Sequence, residues 1–238
     1  MNISIYNTLK KKQHKDMGEL QDIIVDLVYD IFPNIIFHGG TSLWRCYNGN
    51  RFSEDLDFYL LKQNNIKEIL EKEILKQGLN LIKYKETNNL IYAKISQENI
   101  IVQLEIRLLE NNNQILKTAI PVEYNKINGS TITIFCLSQT DLLFEKANAY
   151  LNRKLIRDIY DVYFLSNFVN LSSTELNKIK KIISDFKDPI DETNLKTIVY
   201  KGAIPNYKQM LISIKNRFGL WNIKNSFMII LRNQKFFL

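Results

Sequence analysis

The stretch "FHGGTSLWRCYNGNRFSEDLDFYL", residues 37–60, carries most of what the chain discloses about itself. A pair of glycines, Gly39 and Gly40, separates a short apolar run from the start of a helix. Fifteen residues beyond Gly40, two aspartates, Asp55 and Asp57, stand one residue apart in an otherwise apolar run. A packed core has no use for that arrangement. Glycine lets a ligand approach the backbone, and the N–H groups of the helical turn that follows, with the hydroxyls of Thr41 and Ser42, face an anion there. In a strand, alternate side chains share a face, so Asp55 and Asp57 emerge together with Cα atoms roughly 6.5–7 Å apart. Two such carboxylates converge on one hard cation. Magnesium, or manganese in its place, takes one or two carboxylates plus substrate phosphates.

The surrounding pattern predicts a mixed α/β first half. Residues 18–32 repeat apolar positions at helical spacing until Pro33 ends them. "NIIFHGG" reads as a strand into a turn, "TSLWRCY" as the first turns of a helix, "DLDFYL" as a strand and "NIKEILEKEILKQG" as an amphipathic helix closed by Gly78. From 79 to about 135, "LNLIKYKE", "LIYAKIS", "IIVQLEIRLL" and "STITIF" read as strands. Beyond "CLSQTD" the segments 139–151, 156–168, 173–186, 206–218 and 222–234 all favour helix. The expected organisation is α+β, with a catalytic domain over 1–135 and a helical domain over 136–238.

Three further sets of residues carry chemistry. In "IIVQLEIRLL", Glu105 lies on the polar face of its strand: beside the strand of Asp57 it would serve as a third carboxylate or as a proton acceptor, and otherwise as a surface acid paired with Lys or Arg across strands. Lys146 lies beside the apolar stripe of its helix, where an ammonium needs an anion or a route to water. Asp158 and Asp161 share one helix face, and i,i+4 pairing of Arg157 with Asp161 is the structural alternative to a role in a site; Arg51 and Arg153 are phosphate ligands or ion-pair partners.

Bulk properties set the class. At 238 residues, 45% hydrophobic and 24% charged, the chain can bury a real core. Its opening lacks a signal-peptide core, and no window approaches the roughly 18 apolar residues of a membrane span, so a cytoplasmic protein without a membrane partner is expected. Cys46 and Cys136 form no CxxC pair and are expected to be buried free thiols. The net charge of +7 is localised: residues 1–200 hold 25 basic and 25 acidic side chains, and 201–238 hold seven basic and no acidic ones. Lysines and arginines alternate there with Tyr200, Tyr207, Phe218, Trp221, Phe227 and Phe236. That pattern is read either as a nucleic-acid surface or as a helical segment with a solvated basic face.

"GGTSLWRCYNGNRFSEDLDF" and "FEKANAYLNRKLIRDIYDVYFL" together resemble the AbiEii/AbiGii-type nucleotidyltransferase toxins of bacterial abortive-infection and type IV toxin–antitoxin systems, most strongly over 37–60 and 138–165. The resemblance implies a polymerase-β-like nucleotidyltransferase core followed by a helical domain. It also implies a nucleoside triphosphate substrate, an RNA acceptor (tRNA 3′ ends in some branches) and a cognate antitoxin. Its glycine motif falls on Gly39, Gly40, Thr41 and Ser42. Its Arg-Phe-Ser-x-Asp-x-Asp motif falls on Arg51, Phe52, Ser53, Asp55 and Asp57, and its later motifs on Lys146 and on Asp161, with Asp158 competing. "YNGN" is longer than the Tyr-Gly turn of many relatives. Protein AMPylation or phosphotransfer uses the same phosphate and metal logic, and a non-catalytic nucleic-acid-binding module is the other class that the chain fits.

Overall fold

A computed structural model describes residues 5–111 and 113–220. The chain runs α1 (Ile5–Thr8), α2 (Lys12–Ile31), β1 (Ile36–His38), α3 (Gly39–Cys46), β2 (Leu56–Leu61), α4 (Ile66–Lys76), β3 (Asn80–Glu86), β4 (Leu90–Gln97), β5 (Ile100–Leu109), α5 (Ile115–Thr118), β6 (Ile120–Asn125), β7 (Thr131–Cys136), α6 (Gln139–Arg153), α7 (Ile156–Leu165), α8 (Ser173–Ser184), α9 (Leu195–Ile198) and α10 (Tyr207–Arg217). It divides into two compact units. The first holds residues up to Ser138 with Thr197–Gly202, and the second holds Gln139–Lys196 with the residues from Ala203 on. The return of 197–202 to the first unit has no counterpart in the sequence pattern. It is held there by backbone bonds from Phe52 to Ile198 and from Tyr200 to Asn50, and by packing of Tyr200 on the Trp44 cluster.

The first unit is a seven-stranded mixed sheet in the order β3-β4-β5-β2-β1-β7-β6, with β2/β5 and β1/β7 parallel. Its central strands alternate over most of their length. Leu56, Phe58 and Leu60 of β2, Val102, Leu104 and Ile106 of β5, and Ile91, Ala93 and Ile95 of β4 are buried in one core. The helical stripes of α2 (Leu20, Ile24, Leu27, Val28) and α4 (Ile66, Leu70, Ile74) complete that core. Each fully buried aliphatic side chain contributes roughly 1.5–3 kcal/mol, so this face fixes the register, and a one-residue slip would turn every polar residue inward. Asp57, Glu105 and Tyr92 are thereby committed to the opposite face.

α2 begins earlier than the apolar pattern does, at Lys12, because good helix formers precede it without a breaker. β6, absent from the expected strands although Ile120, Val122 and Tyr124 alternate along it, pairs with β7 and carries Pro121. Proline is tolerated on an edge strand, and it hides the strand signal. In the second unit, α8 and α10 open with capping boxes, Ser172 with Glu175 and Asn206 with Gln209. Each box satisfies orphan N–H groups reciprocally.

Cys46 and Cys136 are free and buried. Burial, reinforced by Cys136, pushes the Cys46 thiol up, so it stays protonated. In the basic C-terminal region, Lys201, Lys208 and Arg217 are exposed, whereas Tyr207 and Phe218 are buried in the second unit. The described aromatics of that stretch are thus packed inside instead of alternating with cations on a surface. Trp221, Lys224, Phe227, Arg232, Lys235 and Phe236, with the helix expected over 222–234, lie outside the described residues.

Candidate active site

β1 runs antiparallel to β2 with His38 opposite Asp57, and β2 runs parallel to β5 with Asp57 opposite Glu105. β4 adds Tyr92 opposite Glu105, and β3 adds Lys85 opposite Tyr92. Residues directly opposite one another share a face. One row therefore crosses the sheet as Lys85, Tyr92, Glu105, Asp57 and His38, with neighbouring strands roughly 4.8 Å apart. Asp57 and Glu105, 48 positions apart in the chain, become neighbours. Glu105 accepts from Gln103 Nε2 at 2.7 Å, and Gln103 Oε1 accepts from the Tyr92 hydroxyl at 2.9 Å, which fixes the direction of this carboxylate.

The glycine turn is built around the same row. Gly39 begins α3 with φ of +78°, a conformation that side-chain-bearing residues rarely adopt, and a β-carbon there would fall on the carboxylate of Asp57. At Gly40 a β-carbon would meet Arg51 Nη2 at 2.5 Å and Ser53 Oγ at 2.6 Å. Gly39, Gly40, Arg51, Ser53 and Asp57 thus meet at one place, and both glycines are there because the other side chains fill the space. His38, the residue before α3, is its N-cap, and its ring is not used as the capping acceptor.

The hydroxyls behave differently from expectation. Thr41 and Ser42 are fully buried, Thr41 donating to the Asp55 carbonyl and Ser42 to that of Gly39 at 2.9 Å. Their bonds tie the turn to the acidic segment, so the groups left to face an anion are the backbone N–H donors of the first turn. Asp55 lies one residue before β2, partly exposed. Among the described residues no three His, Cys, Asp or Glu side chains form a ready-made metal cage. A pair of row-sharing carboxylates beside a turn with open backbone N–H donors fits magnesium, which takes one or two carboxylates with phosphate oxygens and water.

Sequence reasoning missed two supports of this site. Gln21, fully buried on α2, donates through Nε2 to the carbonyls of Ser53 at 3.0 Å and Glu54 at 2.9 Å, clamping the loop that delivers Asp55. Arg45, also fully buried, pairs with Asp22 and donates to the Tyr124 hydroxyl at 3.1 Å, while Tyr124 and the Ile127 N–H donate to Asp22 at 2.9 and 2.7 Å. That network locks α3 to α2 and β6. His38, whose ring stacks on Tyr59 at 3.8 Å, likewise gains its place only from register.

The second unit separates the two acids of α7. Lys146, 5% exposed, points its Nζ at Asp161 Oδ2 across 3.7 Å, and Asp161 is itself 2% exposed. Asp158 is gripped by Arg153, whose Nε and Nη2 donate from one guanidinium edge to the two carboxylate oxygens at 2.6 and 2.7 Å. The bidentate geometry makes Asp158 a partner of Arg153, and Lys146 faces Asp161.

The model of the nucleotidyl transferase AbiEii toxin family, type IV toxin–antitoxin system, matches residues 26–213. The chain belongs to the AbiEii family. It is therefore a nucleotidyltransferase enzyme of the toxin–antitoxin class, and the α+β core with C-terminal helices is the expected architecture. The AbiEii chain is similar in fold to JHP933 from Helicobacter pylori, with a TM-score of 0.61 and 19% identity over 95% of this chain and 99% of that one. It is also similar to MenT4, the nucleotidyltransferase toxin Rv2826c from Mycobacterium tuberculosis H37Rv, with a TM-score of 0.57 and 16% identity over 87% and 82% of the two chains. No curated protein matches its sequence. Among the described residues no helix is long and apolar enough to cross a membrane.

Proposed function

We propose that this AbiEii protein moves a nucleoside monophosphate from a nucleoside triphosphate to a hydroxyl of RNA, in a magnesium-dependent reaction in the cytoplasm, and that a cognate antitoxin restrains it. The observation that carries this reading is the placement of Asp57 directly opposite Glu105 and against Gly39.

In this reading the triphosphate lies on the N–H groups of the α3 turn, with Arg51 and Ser53 beside Gly40 as further phosphate ligands. Asp55 and Asp57, assisted by Glu105, hold the divalent ion. When bound, that ion neutralises charge on the phosphate oxygens and lowers the pKa of a coordinated hydroxyl. The acceptor oxygen attacks the α-phosphorus, forming a new P–O bond as the bond to the β-phosphate oxygen breaks and pyrophosphate leaves. Glu105 takes the proton of the attacking hydroxyl. Little covalent chemistry falls to the protein, and rate comes from alignment and charge compensation. Lys146 offsets triphosphate charge, Asp161 orients it, and Asp158 acts only through Arg153.

The test is incubation with magnesium, each α-labelled nucleoside triphosphate and total RNA, followed by electrophoresis. Label in RNA is the expected result. Label in protein would replace the RNA acceptor by a protein one, and no label anywhere would leave a binding module.

A further inference from the structure

The row that carries Asp57 does not end at Glu105. Its outer end lies on β4 and the edge strand β3, and there the sheet face changes from acidic to basic. Lys83 stands opposite Lys94, and two residues along β3 Lys85 stands opposite Tyr92. Lys83 and Lys85 are exposed, and Lys94 and Tyr92 half-exposed. Like charges directly opposite each other on neighbouring strands are destabilising. Among the described residues none of these three lysines makes an ion pair that would relieve the repulsion; Lys83 instead lies over the Tyr92 ring, 5.2 Å from its centroid. A cluster of mutually repelling, solvent-facing ammonium groups gains most from a polyanion. Their spacing, roughly 5 Å across strands and 6.5–7 Å along one, is comparable to the step between successive phosphates of an extended strand.

We propose that Lys83, Lys85 and Lys94, with Tyr92, form the track for the sugar–phosphate backbone of a single-stranded RNA acceptor whose reacting end lies at Asp57. Three strand spacings, about 14 Å, separate Lys85 from Asp57 along the row. The lysines thus meet phosphates a few nucleotides behind the reacting hydroxyl, and Tyr92 offers a half-exposed ring between track and carboxylates. Such contacts hold the strand in register without reading its sequence. This inference rests on the transfer reaction proposed above, but it concerns a surface of the first unit, separate from the basic C-terminal residues.

The test measures affinity for a fluorescent single-stranded oligoribonucleotide by anisotropy, with neither nucleotide nor metal present, as salt is raised. The Lys83→Ala/Lys85→Ala/Lys94→Ala variant is expected to bind at least about tenfold more weakly at low salt. Its plot of log affinity against log salt should be shallower by about 2, from roughly 0.7 per lost phosphate contact on a single strand. Lys67→Ala/Lys72→Ala/Lys76→Ala on α4 removes the same charge elsewhere and should leave binding as in wild type. Equal affinity of the track variant and wild type, or equal losses in both triple variants, would overturn the proposal. So would a hexaglutamate peptide that binds as tightly and is weakened as much, since the surface would then serve an acidic protein segment. A protein that labels no RNA but loses oligonucleotide affinity only in the track variant would keep the track and refute the transfer reaction.

Discussion

The carboxylate of Asp57 occupies the space into which a β-carbon at residue 39 would project. Glycine at 39 is therefore required twice, by its φ of +78° and by the acid that fills the vacated volume. Gly39→Ala should cost about 1–3 kcal/mol through backbone strain and displacement. Because Asp57 must move, transfer should fall about 100-fold or more even in folded protein, as a misplacement of about 1 Å can cost that much. Denaturant titration paired with the labelling assay checks both.

Lys146 and Asp161 test whether a buried pair serves reaction or fold. Lys146→Met leaves Asp161 buried without its cation and should destabilise the protein by about 3–5 kcal/mol. Lys146→Met/Asp161→Leu should regain most of that stability, since apolar replacements of buried pairs are often neutral. Transfer should stay lost in the double variant. Recovery of activity together with stability would make the pair purely structural.

The Arg45–Asp22–Tyr124 network should be among the most sensitive points of the first unit. Asp22→Asn strips a fully buried guanidinium of its counter-charge and should lower stability by about 3–5 kcal/mol, read from the urea midpoint. Loss of affinity for nucleotide should follow only through the unfolded fraction.

His14 stacks on Phe52 of the Arg-Phe-Ser segment at 3.9 Å. Burial, and then Lys11, hold its imidazole below the ordinary value. Protonation therefore favours the unfolded chain. The contribution is present above the unfolded pKa, about 6.5, and is lost as pH falls below it and through the folded one. The thermal midpoint should drop across that range, and His14→Phe should make the drop smaller.

Much of the site is legible in the sequence alone, because its signals are local. The glycine pair, the alternating aspartates and the lysine beside an apolar stripe each depend on neighbours within one element. Register is not legible. Nothing in the chain says that Glu105 lies opposite Asp57, that His38 joins the row, or that Gln21 reaches the carbonyls of residues 53 and 54. Those relations arise only when the apolar faces of α2, β2 and β5 are buried together. The choice between Asp158 and Asp161 is equally closed to periodicity, since both occupy one face and only the position of Arg153 separates them. β6 is hidden by Pro121, and the fate of the Thr41 and Ser42 hydroxyls by carbonyls that the turn itself brings near.

The proposed chemistry stands or falls with Asp57 as the holder of the divalent ion beside the Gly39 turn. The decisive quantity is the rate at which Asp57→Ala, shown by circular dichroism to be folded, transfers α-labelled nucleotide to RNA with saturating magnesium. A loss of at least about 1,000-fold is expected, with the urea midpoint little changed, comparable to removing a principal electrostatic stabiliser. Labelling at the wild-type rate by the folded variant would refute that role for Asp57.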